Sequence, residues 1–202
     1  MKKFFLITGG TGFIGSNIAN MLAHKGHEVV IFDNNQRGKV KRIDKSKKNI
    51  KIIYGDIRSK KDLSKAFKNI NAVIHLAYIN GTKYFYSKSD LVLDVAVKGL
   101  VNIFDLCIKN KIKELYLASS SEVYHMPKKI PTDESEILKI PDIFNPRYSY
   151  GGGKILTELY GANFGRKYFK KLIIFRPHNV YGPDMGNEHV IPELFKKFKN
   201  TK

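Results

Sequence analysis

The chain has 202 residues, 43% of them hydrophobic, and 36 Lys and Arg against 18 Asp and Glu give a formal net charge of +18. This length supports one well-packed α/β domain and not comfortably two, and no apolar run approaches the ~18 residues that a membrane span needs. The single cysteine, Cys107, excludes an intrachain disulfide and suits a reducing cytoplasm.

A charge this positive raises the question of nucleic acid. The lysines are scattered, however, and densest in Lys39 to Lys51 and Lys196 to Lys202. No aromatic-interleaved RNA-binding pattern, zinc-ligand spacing or recognition helix accompanies them. Nucleic acid is therefore not the expected partner and no metal site is expected, although the positive field would attract anionic nucleotides. The basic N-terminus, Met1-Lys2-Lys3, is not read as a secretory leader, because its apolar run stops at Ile7 and a glycine turn follows at once.

In chain order, Phe4-Phe5-Leu6-Ile7 predicts a first strand. Thr8-Gly9-Gly10-Thr11-Gly12-Phe13-Ile14-Gly15 predicts a tight turn, and a helix runs from Phe13 to His24. A second strand, Val29 to Phe32, ends on Asp33. Strand, glycine turn, helix, strand and acid together read as a dinucleotide-binding βαβ unit. Backbone amides at the helix N-terminus would face a pyrophosphate. Asp33 would take both ribose hydroxyls and repel a 2′-phosphate, which favours NAD over NADP; Arg37 keeps NADP as the alternative.

Asn34 to Gly38 is a polar turn, followed by a basic connector to Asn49 that reads as a loop or short helix. Ile50 to Tyr54 is a third strand, trailed by Gly55-Asp56-Ile57-Arg58. Ser59 would cap a helix through Phe67. Ala72 to Leu76 is a fourth strand. One long helix is expected from Ser87 to Asn110, with Leu91, Val95, Leu100, Ile103, Phe104 and Cys107 on its apolar face. Leu115 to Ala118 is a fifth strand, Tyr148 to Phe169 another helix, and Leu172 to Phe175 a sixth strand. The alternation predicts an α/β, Rossmann-like doubly wound parallel sheet with helices on both faces. Ligands of such sheets collect beyond the carboxyl ends of the strands.

Tyr150-Gly151-Gly152-Gly153-Lys154 places a phenol and an ammonium four residues apart, on one helix face. A nearby ammonium lowers a phenol's pKa and prepares a general base. Three glycines at a helix start cost about 1 kcal/mol each relative to alanine, which suggests close packing against a cofactor or substrate.

The Gly9, Gly12, Gly15 spacing resembles the short-chain dehydrogenase/reductase superfamily. The string T-G-G-T-G-F-I-G resembles its extended branch, the NAD-dependent epimerase/dehydratase family that acts on nucleotide sugars. The resemblance implies NAD held by Gly9, Gly12, Phe13, Ile14, Gly15, Asp33 and Asn34, with Asp56 and Ile57 at the adenine. His75-Leu76-Ala77-Tyr78 resembles the family segment that lies along the cofactor, so Leu76 and Ala77 join that set; Tyr78 departs from the usual small residue. Ser119 to Tyr124 resembles S-[ST]-x-x-V-Y-G, which implies that Ser120 assists Tyr150; the usual glycine is His125 here. Ala96 stands where many relatives carry an asparagine. Asn145-Pro146-Arg147 and Arg176 to Pro183 also resemble the family. From the latter, Pro177 is implied at the cofactor and Asn179 near the substrate diphosphate, and an orienting role suits His178.

The resemblance implies a reaction in which Tyr150 takes a proton from a sugar hydroxyl, usually at C4, while hydride passes to NAD. Lys154 would hold the nicotinamide ribose and lower the tyrosine pKa. The favoured outcome is 4-epimerisation through a 4-keto sugar. Ser121-Glu122 resembles the S-E-V-Y of sugar-nucleotide decarboxylases, so dehydration or decarboxylation through Glu122 is the alternative, with Ser121 at the substrate. A third reading is an NAD-binding module with little or no catalysis, because the family continues well beyond Pro192. Residues 1–176 are read as the NAD-binding domain and 177–202 as the start of a truncated substrate region. The two long helices would form a homodimer through a four-helix bundle, as in relatives.

Overall fold

A computed structural model describes residues 1–186 and 190–200. Six parallel strands, β1 (Phe4–Thr8), β2 (Glu28–Asp33), β3 (Ile50–Tyr54), β4 (Ala72–His75), β5 (Glu114–Ala118) and β6 (Lys171–Phe175), form one sheet in the order β3-β2-β1-β4-β5-β6. Helices α1 (Phe13–His24), α2 (Lys60–Ser64), α3 (Thr82–Ser87), α4 (Ser89–Lys109) and α5 (Ser149–Asn163) connect the strands, and α6 (Val190–Asn200) follows β6. The expected doubly wound sheet is present.

Side chains alternate along each strand, so a sheet covered on both faces needs apolar residues at successive positions. Leu6, Phe32, Val73, Leu115 and Leu117 enter one core with α2, α4 and Phe169, whereas Phe5, Ile7, Val29, Ile31, Ala72 and Ile74 enter a second core under α1. The buried stripe of α1 is Gly15, Ser16, Ala19 and Ala23. Residues that small let the helix lie close against the strands.

The strand order reverses between β1 and β4, which opens a crevice at their carboxyl ends. Thr8 holds its two sides together. Its Oγ1 lies 2.8 Å from His75 Nδ1 and accepts from the N–H groups of Leu76 and Ala77, each at 3.3 Å.

Several boundaries differ from expectation. The long helix is α4, within two residues of its expected bounds at each end; an unexpected short helix, α3, precedes it, set off where Lys88 leaves helical backbone at φ −149°, and buries Phe85. The connector is, as expected, a loop, with a short 3-10 turn at Val40–Arg42. The helix capped by Ser59, whose side chain accepts from Asp62 N at 3.2 Å, stops at Ser64 and not Phe67. Helix α5 stops at Asn163 and not Phe169, because Gly165 turns the chain where a Cβ would crowd Leu172 and Phe104. The lysine-dense end contains α6, whose Ile191, Leu194, Phe195 and Phe198 recur at helical spacing. Among the described residues no helix is long and apolar enough to cross a membrane, and no His/Cys/Asp/Glu group could hold a metal ion. Cys107 is buried in α4, and burial pushes its thiol pKa up.

The last two strands and α5 are tied by one polar cluster. Arg176, just past β6, donates from Nε (2.8 Å) and Nη2 (2.6 Å) to the two oxygens of Glu158 in α5. Ser119, just past β5, donates to the same carboxylate. A further Nη1 bond of 2.7 Å reaches the Tyr124 hydroxyl. Removing one partner of such a pair leaves a charge largely out of water. Glu158→Ala is therefore expected to cost about 3 kcal/mol and to lower the melting temperature by roughly 6–12 °C in a circular-dichroism melt. An unchanged melt would show that the cluster is not structural.

Candidate active site

The glycine turn is built against both neighbouring strands. Gly9 N donates to Phe32 O at 2.9 Å, and Gly9 sits at φ +71°, where a Cβ would meet Ala77 N at 2.8 Å. Only glycine fits there. A Cβ on Gly12 would touch just Gly9 O, at 3.1 Å, so the space over the start of α1 is open. The first turn of α1 carries no acidic side chain and Gly12 makes no side-chain cap, which leaves amides available to an anion.

Asp33 closes this end. Its Oδ2 accepts from Thr11 N at 3.0 Å and its Oδ1 from Asn35 N at 2.8 Å. Each oxygen retains a lone pair. Asp56 is more fully engaged: Arg58 donates to it from the backbone (2.8 Å), Nε (3.0 Å) and Nη2 (2.8 Å), and holds its carboxyl below the usual range. The side chain of Asn34 also bonds Asp56, while Ile57 is buried beneath.

At the other end, Tyr150 and Lys154 lie on the first turns of α5, both buried. Lys154 Nζ donates to Ala118 O at 2.6 Å and sits 3.9 Å above the Tyr78 ring and 5.6 Å from the Tyr150 ring centroid. Phe85 stacks on Tyr150 with centroids 5.1 Å apart, and Tyr78 meets it edge-on, also at 5.1 Å. Ser120 is buried beside Tyr150, and its Oγ accepts from Glu122 N at 3.2 Å, which leaves its own proton to donate elsewhere.

The protonation chemistry differs from the expectation that the lysine simply acidifies the tyrosine. Burial raises the Tyr150 pKa; the Ser120 hydroxyl draws it down, Glu122 pushes it up and Arg37 draws it down. Burial pulls Lys154 down to about 7. Burial, and then the Lys154 charge, pulls His75 to about 3, so His75 is a neutral imidazole held by Thr8.

The three glycines also have another explanation than close approach of a ligand. A Cβ on Gly151 would meet His125 Nε2 at 2.6 Å, one on Gly152 would meet Ile140 Cδ1 at 3.2 Å, and one on Gly153 would collide with the Tyr78 hydroxyl. Each glycine makes room for a side chain of this protein. His125 itself takes φ +47°, the left-handed backbone that a glycine at this position would adopt freely.

Beyond Ser120, Ser121 N donates to Pro177 O at 3.1 Å, which ties the loop after β5 to the one after β6. Glu122 Oε2 accepts from Arg147 Nη2 at 2.9 Å. The Arg147 guanidinium lies over the Phe85 ring at 5.3 Å, and its Nη1 is buried with no hydrogen-bond partner among the described residues. His178 and Asn179 are exposed, joined by a 2.8 Å bond from Asn179 N to His178 Nδ1.

One cleft of about 730 Å³ opens at the carboxyl ends of the strands. It brings together Gly9, Gly12, Phe13, Ile14, Gly15, Asp33, Asn34, Asp56, Ile57, Leu76 and Ala77 with Ser120, Ser121, Glu122, Tyr150, Lys154, Pro177 and Asn179. The same wall includes Phe85 and Arg147, to which the sequence assigns no role. Phe85 precedes the expected helix start, and its only sequence signal is the aromatic run Tyr84-Phe85-Tyr86. Arg147 had the signal of its place three residues before Tyr150.

Known proteins share this arrangement. The model of the NAD dependent epimerase/dehydratase family matches residues 5–202. A UDP-N-acetyl-alpha-D-glucosaminuronate decarboxylase of Bacillus cytotoxicus is 36% identical over 199 residues, covering 97% of this chain and 61% of its own. A putative UDP-glucose 4-epimerase of Methanocaldococcus jannaschii is 33% identical, covering 88% of this chain and 56% of its own. Among solved structures, the UDP-N-acetylglucosamine 4-epimerase of Methanobrevibacter ruminantium, in complex with UDP-N-acetylmuramic acid, superposes with a TM-score of 0.88 at 29% identity over 100% of this chain and 64% of that one. The UDP-glucose 4-epimerase of Thermus thermophilus in complex with NAD gives 0.82 at 27% identity, covering 96% and 61%. The chain thus spans about three fifths of the length of these relatives. With a parallel sheet, a glycine turn and a Tyr-Lys helix in one cleft, and a family match over nearly its whole length, the chain belongs to the NAD dependent epimerase/dehydratase family.

Proposed function

We propose that this chain binds NAD and oxidises the C4 hydroxyl of a nucleotide sugar, as the first step of a 4-epimerisation. The observation that carries this reading is the convergence of Tyr150, Lys154 and Ser120 at the end of β5, in a cleft continuous with the glycine turn. The open space over Gly12 and the spare lone pairs of Asp33 fit a dinucleotide with a free ribose diol. NAD supplies a hydride acceptor that can return the hydride. Gly9, Gly12, Phe13, Ile14 and Gly15 would hold its diphosphate, Asp33 and Asn34 its ribose, and Asp56, Ile57, Leu76, Ala77 and Pro177 its remaining surface. Residues 1–176 would form this cofactor unit and 177–202 the beginning of the substrate region, with Ser121 and Asn179 facing the sugar nucleotide.

In the proposed reaction Tyr150 accepts the hydroxyl proton while Ser120 donates a hydrogen bond to the reacting oxygen. Lys154 orients the ribose and, when charged, stabilises the phenolate. Phe85 and Tyr78 exclude water around the phenol, which makes its electrostatic partners count for more.

Decarboxylation is the second reading, and the Glu122–Arg147 pair favours it. A 4-keto uronate has its carboxylate β to the ketone and loses CO2 readily. Arg147, with Nη1 unpartnered among the described residues, would hold that carboxylate; the C5–C6 bond breaks, CO2 leaves, and the C4–C5 enolate would take a proton at C5 relayed by Glu122 before the hydride returns from NADH to C4. An NAD-binding module without turnover remains the reading of another class. We also infer a homodimer through α4 and α5, supported by exposed Leu93, Val97, Val101 and Leu159; a monomer in sedimentation equilibrium would remove it.

The deciding experiment is incubation with NAD and UDP-, GDP- and dTDP-sugars and uronates, with product and CO2 identification. Tyr150→Phe is expected to lower turnover at least ~100-fold with NAD affinity kept within a few-fold. Asp33→Ala is expected to weaken NAD about tenfold and to narrow its preference over NADP. Tyr150→Phe with full turnover would overturn the assigned base.

Lys154 also has a stability signature. Its folded pKa of about 7 lies below the ordinary 10.5, so between these values the unfolded chain binds more protons. Stability conferred on the fold at high pH is lost as pH falls, and the loss is complete below 7. Lys154→Met should therefore be more stable than wild type at pH 7, on the order of a few kcal/mol, while losing activity. Chemical denaturation at pH 7 and 9.5 should show the gap shrinking at the higher pH.

A further inference from the structure

We propose that Tyr78 is a positioning residue for Lys154: its ring face is the seat of the ammonium, and the gap left by Gly153 and Ala96 exists to admit it. The proposal rests on the reading that Lys154 contacts NAD.

Tyr78, Ala96 and Gly153 lie on three separate elements: the loop after β4, α4 and α5. They meet at one point. A Cβ built on Gly153 would collide with the Tyr78 hydroxyl and stand 2.8 Å from the Ala96 Cβ. The phenol therefore ends in a notch between α5 and α4 that exists only while position 153 has no side chain. In this notch the hydroxyl is buried with no hydrogen-bond partner among the described residues. An unpartnered buried hydroxyl is unfavourable, so the ring and not the oxygen holds the side chain there.

The ring has two partners. Its edge meets Tyr150, centroids 5.1 Å apart with planes at 84°, a favourable aromatic geometry. Its face lies under Lys154 Nζ at 3.9 Å, within cation–π range at a desolvated site. Lys154 is 4% exposed and makes no salt bridge among the described residues. The groups facing its ammonium are the Ala118 carbonyl on β5, neutral His75 on β4, Tyr150 on its own helix and the Tyr78 ring. Of these, Tyr78 is the one whose placement depends on the absence of a side chain at position 153. Without it the ammonium would lie against a void or water and could leave the line between the ribose site and Tyr150.

The test compares Tyr78→Phe, which keeps the ring, with Tyr78→Leu, which keeps apolar bulk but has no π face. Two readouts are taken beside thermal melting: NAD titration, and the Lys154 pKa followed by 13Cε-lysine NMR on the cofactor-free protein. Tyr78→Phe should bind NAD within about twofold of wild type and keep the lysine pKa. Tyr78→Leu should bind at least fivefold more weakly and lower the lysine pKa by roughly half a unit or more, at a melting temperature close to that of Tyr78→Phe. Equal behaviour of the two variants in the lysine titration would overturn the proposal. If wild type binds no NAD, the functional reading fails, and the NMR comparison still decides this one. A second arm probes the notch: Gly153→Ser should lower the melting temperature in wild type but not in Tyr78→Ala, and additive effects would show that the two sites are not coupled.

Discussion

The arrangement of the cleft depends on where α5 lies along the sheet, and that is set by the Glu158 carboxylate. It joins the Arg176 fork beyond β6 to the Ser119 hydroxyl beyond β5. Tyr150, Lys154 and Glu158 are spaced four apart, so they share one stripe of the helix. Fixing the last member to two strand ends fixes the rotation and register of the other two. The planar guanidinium spans both carboxylate oxygens, which gives directional precision that a lysine in its place would not. Ser120 follows Ser119 directly, so the same clasp also places the hydroxyl that faces Tyr150.

Within that frame the site keeps an ammonium out of water with no carboxylate paired to it among the described residues. A carboxylate near Lys154 would ease its burial but would also oppose a phenolate on Tyr150. The protein instead uses a carbonyl, an aromatic face and a neutral imidazole. Stability at neutral pH is given up for a cation whose positive charge is not already cancelled, a trade common at functional sites.

The sheet and its cleft could be read from the chain because their signals are local. Apolar strands, the turn after Ile7, the acid at Asp33 and the Tyr150–Lys154 interval each depend on residues within one element and its flanks. What escaped depends on meetings between distant segments. The short helix α3 places Phe85 on Tyr150, and α5 ends early where Gly165 fits against Phe104. The glycines of the Tyr-Lys interval pointed to crowding, but only tertiary contacts identify His125, Ile140 and Tyr78 as the crowding groups. Helix α6 was hidden because its lysines dominate the composition while its four apolar positions emerge only at helical period. Spacing gives the proximity of Tyr150 and Lys154, whereas burial, a tertiary property, is the largest influence on the proton affinity of each.

The bonds from Thr11 N and Asn35 N to Asp33 have a consequence for how a ligand arrives. Both the phosphate turn and the loop after β2 are already ordered by the acid that would later read the ribose. No segment at this end must be frozen when a dinucleotide binds, so little of its binding free energy is diverted to ordering backbone. These two amides should accordingly exchange with solvent slowly in the empty protein. The carboxylate is thus a splint for the glycine turn and the following loop, independent of any ligand it would read.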